Sequence, residues 1–169
     1  MTKRISVWSK FAVIIIILVT VCVSVLYCQS KRTIRIHEEN INNMTFTVYY
    51  ITPAVINIPV NIDMLIDMVY DPDTGKKIII AGEELLSHKL LINEMLNEPV
   101  KYTDDTSFMD LNIYCILEKD GKNIWDIAIG NNMYVNSKQI ESNPAFYDYI
   151  FEFIPEPDKS ELKEFLDVQ

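Results

Sequence analysis

Residues 11–27, FAVIIIILVTVCVSVLY, form a 17-residue apolar block behind the basic start MTKRISVWSK. No other feature constrains the chain as strongly. At about 1.5 Å per residue, a helix of that length reaches roughly 26 Å, close to the ~30 Å hydrocarbon core of a bilayer. Trp8 and Tyr27 stand near its two ends, where amphipathic rings favour the headgroup level, and Lys3, Arg4 and Lys10 precede it. The block is read as a retained transmembrane helix over 11–28, after a basic tail at 1–10. A juxtamembrane segment with a first strand follows at 29–44, and a single domain at 45–169.

Two alternatives compete with the retained anchor. Cys28-Gln29-Ser30 is a small-x-small site, so cleavage after Ser30 would release a secreted domain. Lipidation at Cys28 would give a lipoprotein, although Tyr27 stands where that pattern takes a small residue. Lys31, Arg32 and Arg35 behind the block nearly balance the three basic residues before it, so charge alone decides little about orientation. The short leading tail favours a cytoplasmic N-terminus with the domain outside. The lipid bilayer is the partner this segment implies.

All 24 acidic residues lie from Glu38 onward, against nine of the 15 Lys and Arg, which leaves residues 38–169 at −15. Neutralising phosphates requires clustered Lys and Arg, and no such stripe occurs, which excludes a general nucleic-acid role. An acidic surface suits solubility and cationic partners. Of the three cysteines only Cys115 belongs to the domain, so no disulfide forms within it and stability must come from the core.

The domain reads as alternating strands and helices. Residues 33–37 alternate in strand fashion, 38–43 are a polar break, and TFTVYYI at 45–51 is β-branched and aromatic with period two. Asn61 is placed to cap a short helix over IDMLIDMVY, but the preferred reading is a strand near 67–70. That strand would feed the turn Asp71-Pro72-Asp73-Thr74-Gly75, with 77–81 as its return. Residues 82–97 form the longest expected helix, with Leu85, His88, Leu91, Ile92, Met95 and Leu96 in one stripe. Leu86 and Leu90 fall outside the stripe and mark a possible partner surface.

Strands at 108–118 and 122–129 are joined by Asp120-Gly121, and the turn Gly130-Asn131-Asn132 leads into 133–136, giving a three-strand meander. Asn143 then caps a helix over 144–154 with Pro144 at its first position, and Ser160 caps a last turn at 161–167. Tight turns between neighbouring strands make this α+β. The expected architecture is an antiparallel sheet of four to six strands with both helices packed on one face.

Site chemistry is sparse. Met109, Leu111, Ile113, Cys115 and Leu117 share one strand face, so the thiol is expected in the core and not as a nucleophile. His37 and His88 lack the spacing of a zinc site. Asp71-x-Asp73-x-Gly75 begins like a calcium loop, but Gly75 occupies the fifth position, where a ligand is needed. Asp104, Asp105 and Asp110 are the weak candidates for a hard cation, and no cofactor is implied. Tyr49, Tyr50, Tyr114, Tyr134, Tyr147 and Tyr149 are read as exposed aromatics suited to contacts. The resulting expectation is a membrane-anchored extracytoplasmic domain that is non-enzymatic and binds another envelope protein. The alternatives are a ligand-binding or hydrolytic domain with a carboxylate-lined site, and an immunity or inhibitor-type protein for a cationic partner.

Overall fold

The computed structural model describes residues 34–52, 59–71, 73–104 and 109–167. The apolar block and its flanks Lys3, Arg4, Trp8, Lys10, Tyr27, Lys31 and Arg32 lie outside them, as do Cys28 and Ser30. Among the described residues no helix is long and apolar enough to cross a membrane.

Six strands form one antiparallel sheet. They are β1 (Met44–Ile51), β2 (Gly75–Ala81), β3 (Leu111–Lys119), β4 (Lys122–Gly130), β5 (Met133–Val135) and β6 (Lys138–Ile140), in the order β2-β1-β3-β4-β5-β6. Helices α1 (Ile62–Met68), α2 (Gly82–Ser87), α3 (Lys89–Leu96), α4 (Ala145–Phe151) and α5 (Asp158–Phe165) complete the α+β domain, with a 3-10 turn at Glu38–Asn43.

Register follows the side-chain alternation. Val48 opposes Cys115, which opposes Ile127, which opposes Val135, and this row continues the apolar face of Phe46, Tyr50, Ile113 and Ile129. The helices after β6 close this face: the Phe46 and Phe153 rings meet at 5.2 Å, and Tyr50 bonds the first residue of α5. Slipping any strand by one residue would turn its apolar set outward, so burial fixes the pairing.

The two expected helices meet on this first face, where His88 lies against Phe153, but the opposite face is covered as well. Leu65 of α1 is buried with Ile51, Tyr114, Ala128 and Tyr134, which alternate with the first set and therefore lie on the opposite face. Two-sided cover explains why β3 reads as a nearly continuous apolar run.

The strand expected near 67–70 is corrected to a helix. The Asn61 side chain accepts the Met64 N–H at 2.9 Å, satisfying an orphan donor that a strand would have left to the sheet. Its polar exit is the turn at Asp71, whose carbonyl accepts from both Thr74 and Gly75. A Cβ on Gly75 would stand 2.8 Å from the Met68 carbonyl carbon, so only glycine lets β2 start against the end of α1. β2 then pairs with β1 and not with the segment before it.

The long helix is two helices with His88 between them, its backbone out of helical geometry at ψ 6°. Leu85, Ile92 and Met95 of the expected stripe are buried. The C-terminal helix is shorter than expected, ending at Phe151, and Asn143 holds its start by accepting the Ala145 N–H at 3.1 Å. Ser160 caps nothing: it lies inside α5 and bonds the Glu156 carboxylate at 2.7 Å.

Residues 34–37 take no strand. Instead the Asn93 side-chain amide accepts from the Ile36 N–H at 2.8 Å and donates to the Ile36 carbonyl at 3.3 Å. One side chain thus supplies both bonds that a neighbouring strand would have made.

The Asp120-Gly121 hairpin forms as expected, with φ of 52° and 70° suited to a tight turn. β6 follows a second such turn at Asn136-Ser137, with φ of 50° and 62° and no glycine.

Candidate functional site

Three features of the described domain are not explained by packing alone: a buried polar cluster, an open sheet edge and projecting apolar side chains, of which Leu90 is the most exposed aliphatic one. The cluster joins β1, β2 and α5. Asp158 is 6% exposed, accepts the Tyr50 hydroxyl at 2.8 Å, and takes two bonds from Lys76 Nζ at 2.6 and 2.7 Å. Burial pushes the Asp158 carboxyl up, but the bonds from Lys76 and Tyr50 and the ammonium charge outweigh it and hold it below its ordinary value. Burial first, and then the bond and charge of Asp158, push the Tyr50 hydroxyl well above its ordinary value. All donors and acceptors here are mutually satisfied, so the cluster clasps α5 to the sheet edge and offers no free base.

Lys76 belongs to β2, which is the outermost strand. Among the described residues nothing pairs with its other side. Lys76, Lys77, Ile79 and Ala81 are exposed, Ile79 at 55%. Lysines usually guard such an edge against pairing. Here Lys76 folds onto Asp158, and Lys77 folds over the Tyr49 ring with Nζ 5.1 Å from its centre. Tyr50 and Tyr49 lie on opposite faces, so the two guards turn back onto the two sides of the sheet.

Of the expected partner residues, Leu90 projects at 74% exposure from α3, whereas Leu86 is half-buried in α2. The cation candidates do not assemble among the described residues. Asp110 Oδ1 accepts the Val60 N–H at 3.0 Å and Oδ2 accepts the Asn131 amide at 3.3 Å, so that carboxylate ties the segment before α1 to the β4–β5 turn. Asp104 is exposed and Asp105 lies outside the described residues. No group of three or more His, Cys, Asp or Glu able to hold a metal occurs among the described residues.

Cys115 is fully buried, and burial pushes its thiol well above the ordinary range, as expected for a core residue. His88 rests its ring edge on Phe153, centroids 5.1 Å apart, and His37 is exposed. The tyrosine reading needs correction: Tyr50, Tyr114 and Tyr134 are buried because the sheet is covered on both faces, and Tyr147 is buried in α4, while Tyr70 and Tyr102 are the exposed ones among the described residues. A cavity of about 60 Å³ beside Gly130, Asn132, Ser142 and Tyr147 has room for water but is far smaller than the roughly 300–1,000 Å³ of a drug-sized ligand's pocket.

Sequence reading missed the Tyr50–Lys76–Asp158 cluster entirely. Its members are up to 108 positions apart and share no motif spacing. The one available signal was Lys76 and Lys77 at the head of an isoleucine run, a composition typical of an edge strand. Arg35 is the single membrane-flanking candidate among the described residues, and it is exposed. Compared with models of protein families, with curated proteins and with solved structures, the chain matches none.

Proposed function

We propose that this chain is a single-pass membrane protein whose acidic α+β domain stands outside the membrane and acts by binding protein. The observation that carries the reading is the stretch from β2 through α3. It combines an unpaired strand edge, Ile79 at 55% exposure and Leu90 at 74% exposure within 12 residues of sequence. A lone exposed leucine is ordinary, but an unpaired backbone edge that carries an exposed apolar side chain, Ile79, is what strand addition requires. Location rests on the apolar block at 11–27 and the basic residues around it.

A photo-crosslinking residue placed at Leu90 or Ile79 of the full-length chain, in its own membrane, tests the reading. Discrete protein adducts are expected from these positions and not from Glu161, an exposed residue of α5. Absence of any adduct from both positions would overturn it.

A further inference from the structure

From β2 into the first turn of α2 the chain carries a charge order that matches itself. From Lys76 it reads Lys-Lys-Ile-Ile-Ile-Ala-Gly-Glu-Glu, basic at one end, apolar in the middle and acidic at Glu83-Glu84. Lys77, Ile79, Ala81, Glu83 and Glu84 are all exposed. Two such edges laid antiparallel bring the basic end of each beside the acidic end of the other. Because opposed residues in an antiparallel pair share a face, the apolar middle meets itself.

We propose that two copies of this chain pair through their β2 edges about a twofold axis at Ile79, joining two six-stranded sheets into one. The proposal rests on the protein-binding reading above and names the partner as a second copy.

Register follows from charge and from where the strand ends. With the axis at Ile79, Lys77 opposes Ala81, Ile78 opposes Ile80, and the exposed Ile79 is covered by its own symmetry mate. Lys77, on the same face as Ile79, then stands beside the start of the second copy's α2, where Glu83 is exposed. An axis at Ile78 sets Ile79 against Lys77 instead of its own mate and moves the turn at Asp73 toward the acidic first turn of α2. An axis at Ile80 leaves only residues 79–81 to pair, because Gly82 already begins α2. Both guarding lysines are turned onto the sheet faces, so neither ammonium stands between the two backbones.

The test uses the full-length chain in mild detergent, with Cys22 and Cys28 replaced by serine so that Cys115, which is fully buried, is the only native thiol left. Directly opposed residues in an antiparallel pair have Cα atoms about 4.5–5.5 Å apart, inside the disulfide range of about 4.4–6.8 Å. Ile79→Cys is therefore expected to oxidise to a covalent dimer, while Ile78→Cys on the other face and Glu161→Cys on α5 are not. Sedimentation equilibrium should show a reversible dimer for the unsubstituted chain. Ile79→Lys should weaken it by roughly tenfold or more, since two ammonium groups then face each other, with an unchanged melting transition at concentrations low enough for both chains to be monomeric. A chain that stays monomeric at high micromolar concentration overturns the proposal, and so does a dimer indifferent to Ile79→Lys. If that monomer still crosslinks to a different protein from Leu90, the protein-binding reading stands without the dimer. If it crosslinks to nothing, both fall.

Discussion

Replacing Asp158 by alanine removes the acceptor of three hydrogen bonds that hold α5 against β1 and β2. The two donors left behind differ in what they lose. Tyr50 is 1% exposed, so its hydroxyl is stranded in the core at a cost of about 1–3 kcal/mol. The Lys76 side chain is 43% exposed and turns to water, so its half of the interaction is worth about 0–1 kcal/mol after solvent screening. The expected loss is about 1–4 kcal/mol, most of it from the tyrosine. That origin is checkable by a double-mutant cycle. Tyr50→Phe in the native background breaks a bond to a charged acceptor and should cost about 1.5–3 kcal/mol. In the Asp158→Ala background it removes an orphan and should cost almost nothing, giving a coupling of at least about 1 kcal/mol.

Acid supplies a second arm. Asp158 has a folded pKa below its unfolded 3.8, so its contribution is fully present above 3.8 and is lost as pH falls through the lower folded value. Tyr50 runs the other way. Its folded pKa lies above 10.0, so its contribution is present below that value and is lost as pH rises through the folded one. The stability gap between native and Asp158→Ala chains, measured by urea titration of the full chain in detergent, should be flat from about pH 5 to 9 and should shrink below 3.8. An additive cycle, or a gap that persists undiminished in strong acid, would refute the reasoning.

Asn93→Ala should release Ile36 from both of its side-chain bonds, costing about 1–3 kcal/mol locally, and hydrogen exchange at Ile36 should speed up while that of β3 stays slow. Gly130→Ala should fail to reach the native state or lose more than about 3 kcal/mol, because its Cβ would meet the Asp110 carbonyl oxygen at 1.7 Å; a soluble variant with a native melting curve would contradict this. Cys115 should resist iodoacetamide in the native protein at pH 8 and react within minutes once unfolded, and rapid native labelling would show that the β3 face opens.

What could be read locally from the chain was what neighbouring residues decide together. The alternation of β1 and β3, the Asp120-Gly121 hairpin, the meander and the burial of Cys115 depend on residues a few positions apart, and the structure reproduces them. β6 was illegible because its turn, Asn136-Ser137, reaches positive φ without the glycine that usually announces it. Residues 62–68 carried both helix and strand signals, and the Asn61 cap together with apolar cover on the second sheet face selected the helix. Local pattern cannot weigh such terms, since the cover comes from β1 and β3, elsewhere in the chain.

By itself, the sequence determined the apolar block, a charge of −15 from Glu38 onward and an α+β order of elements, because charge and periodicity are properties of the chain before it folds. Tertiary structure alone decided the rest. It covered both sheet faces and so buried the tyrosines that composition suggested were exposed. It committed Asp110 to holding loops. It also set Lys76 against Asp158, 82 positions away, which turned an edge lysine from a guard into a clasp. Low dielectric and close packing make each such contact matter, and neither exists until distant segments meet.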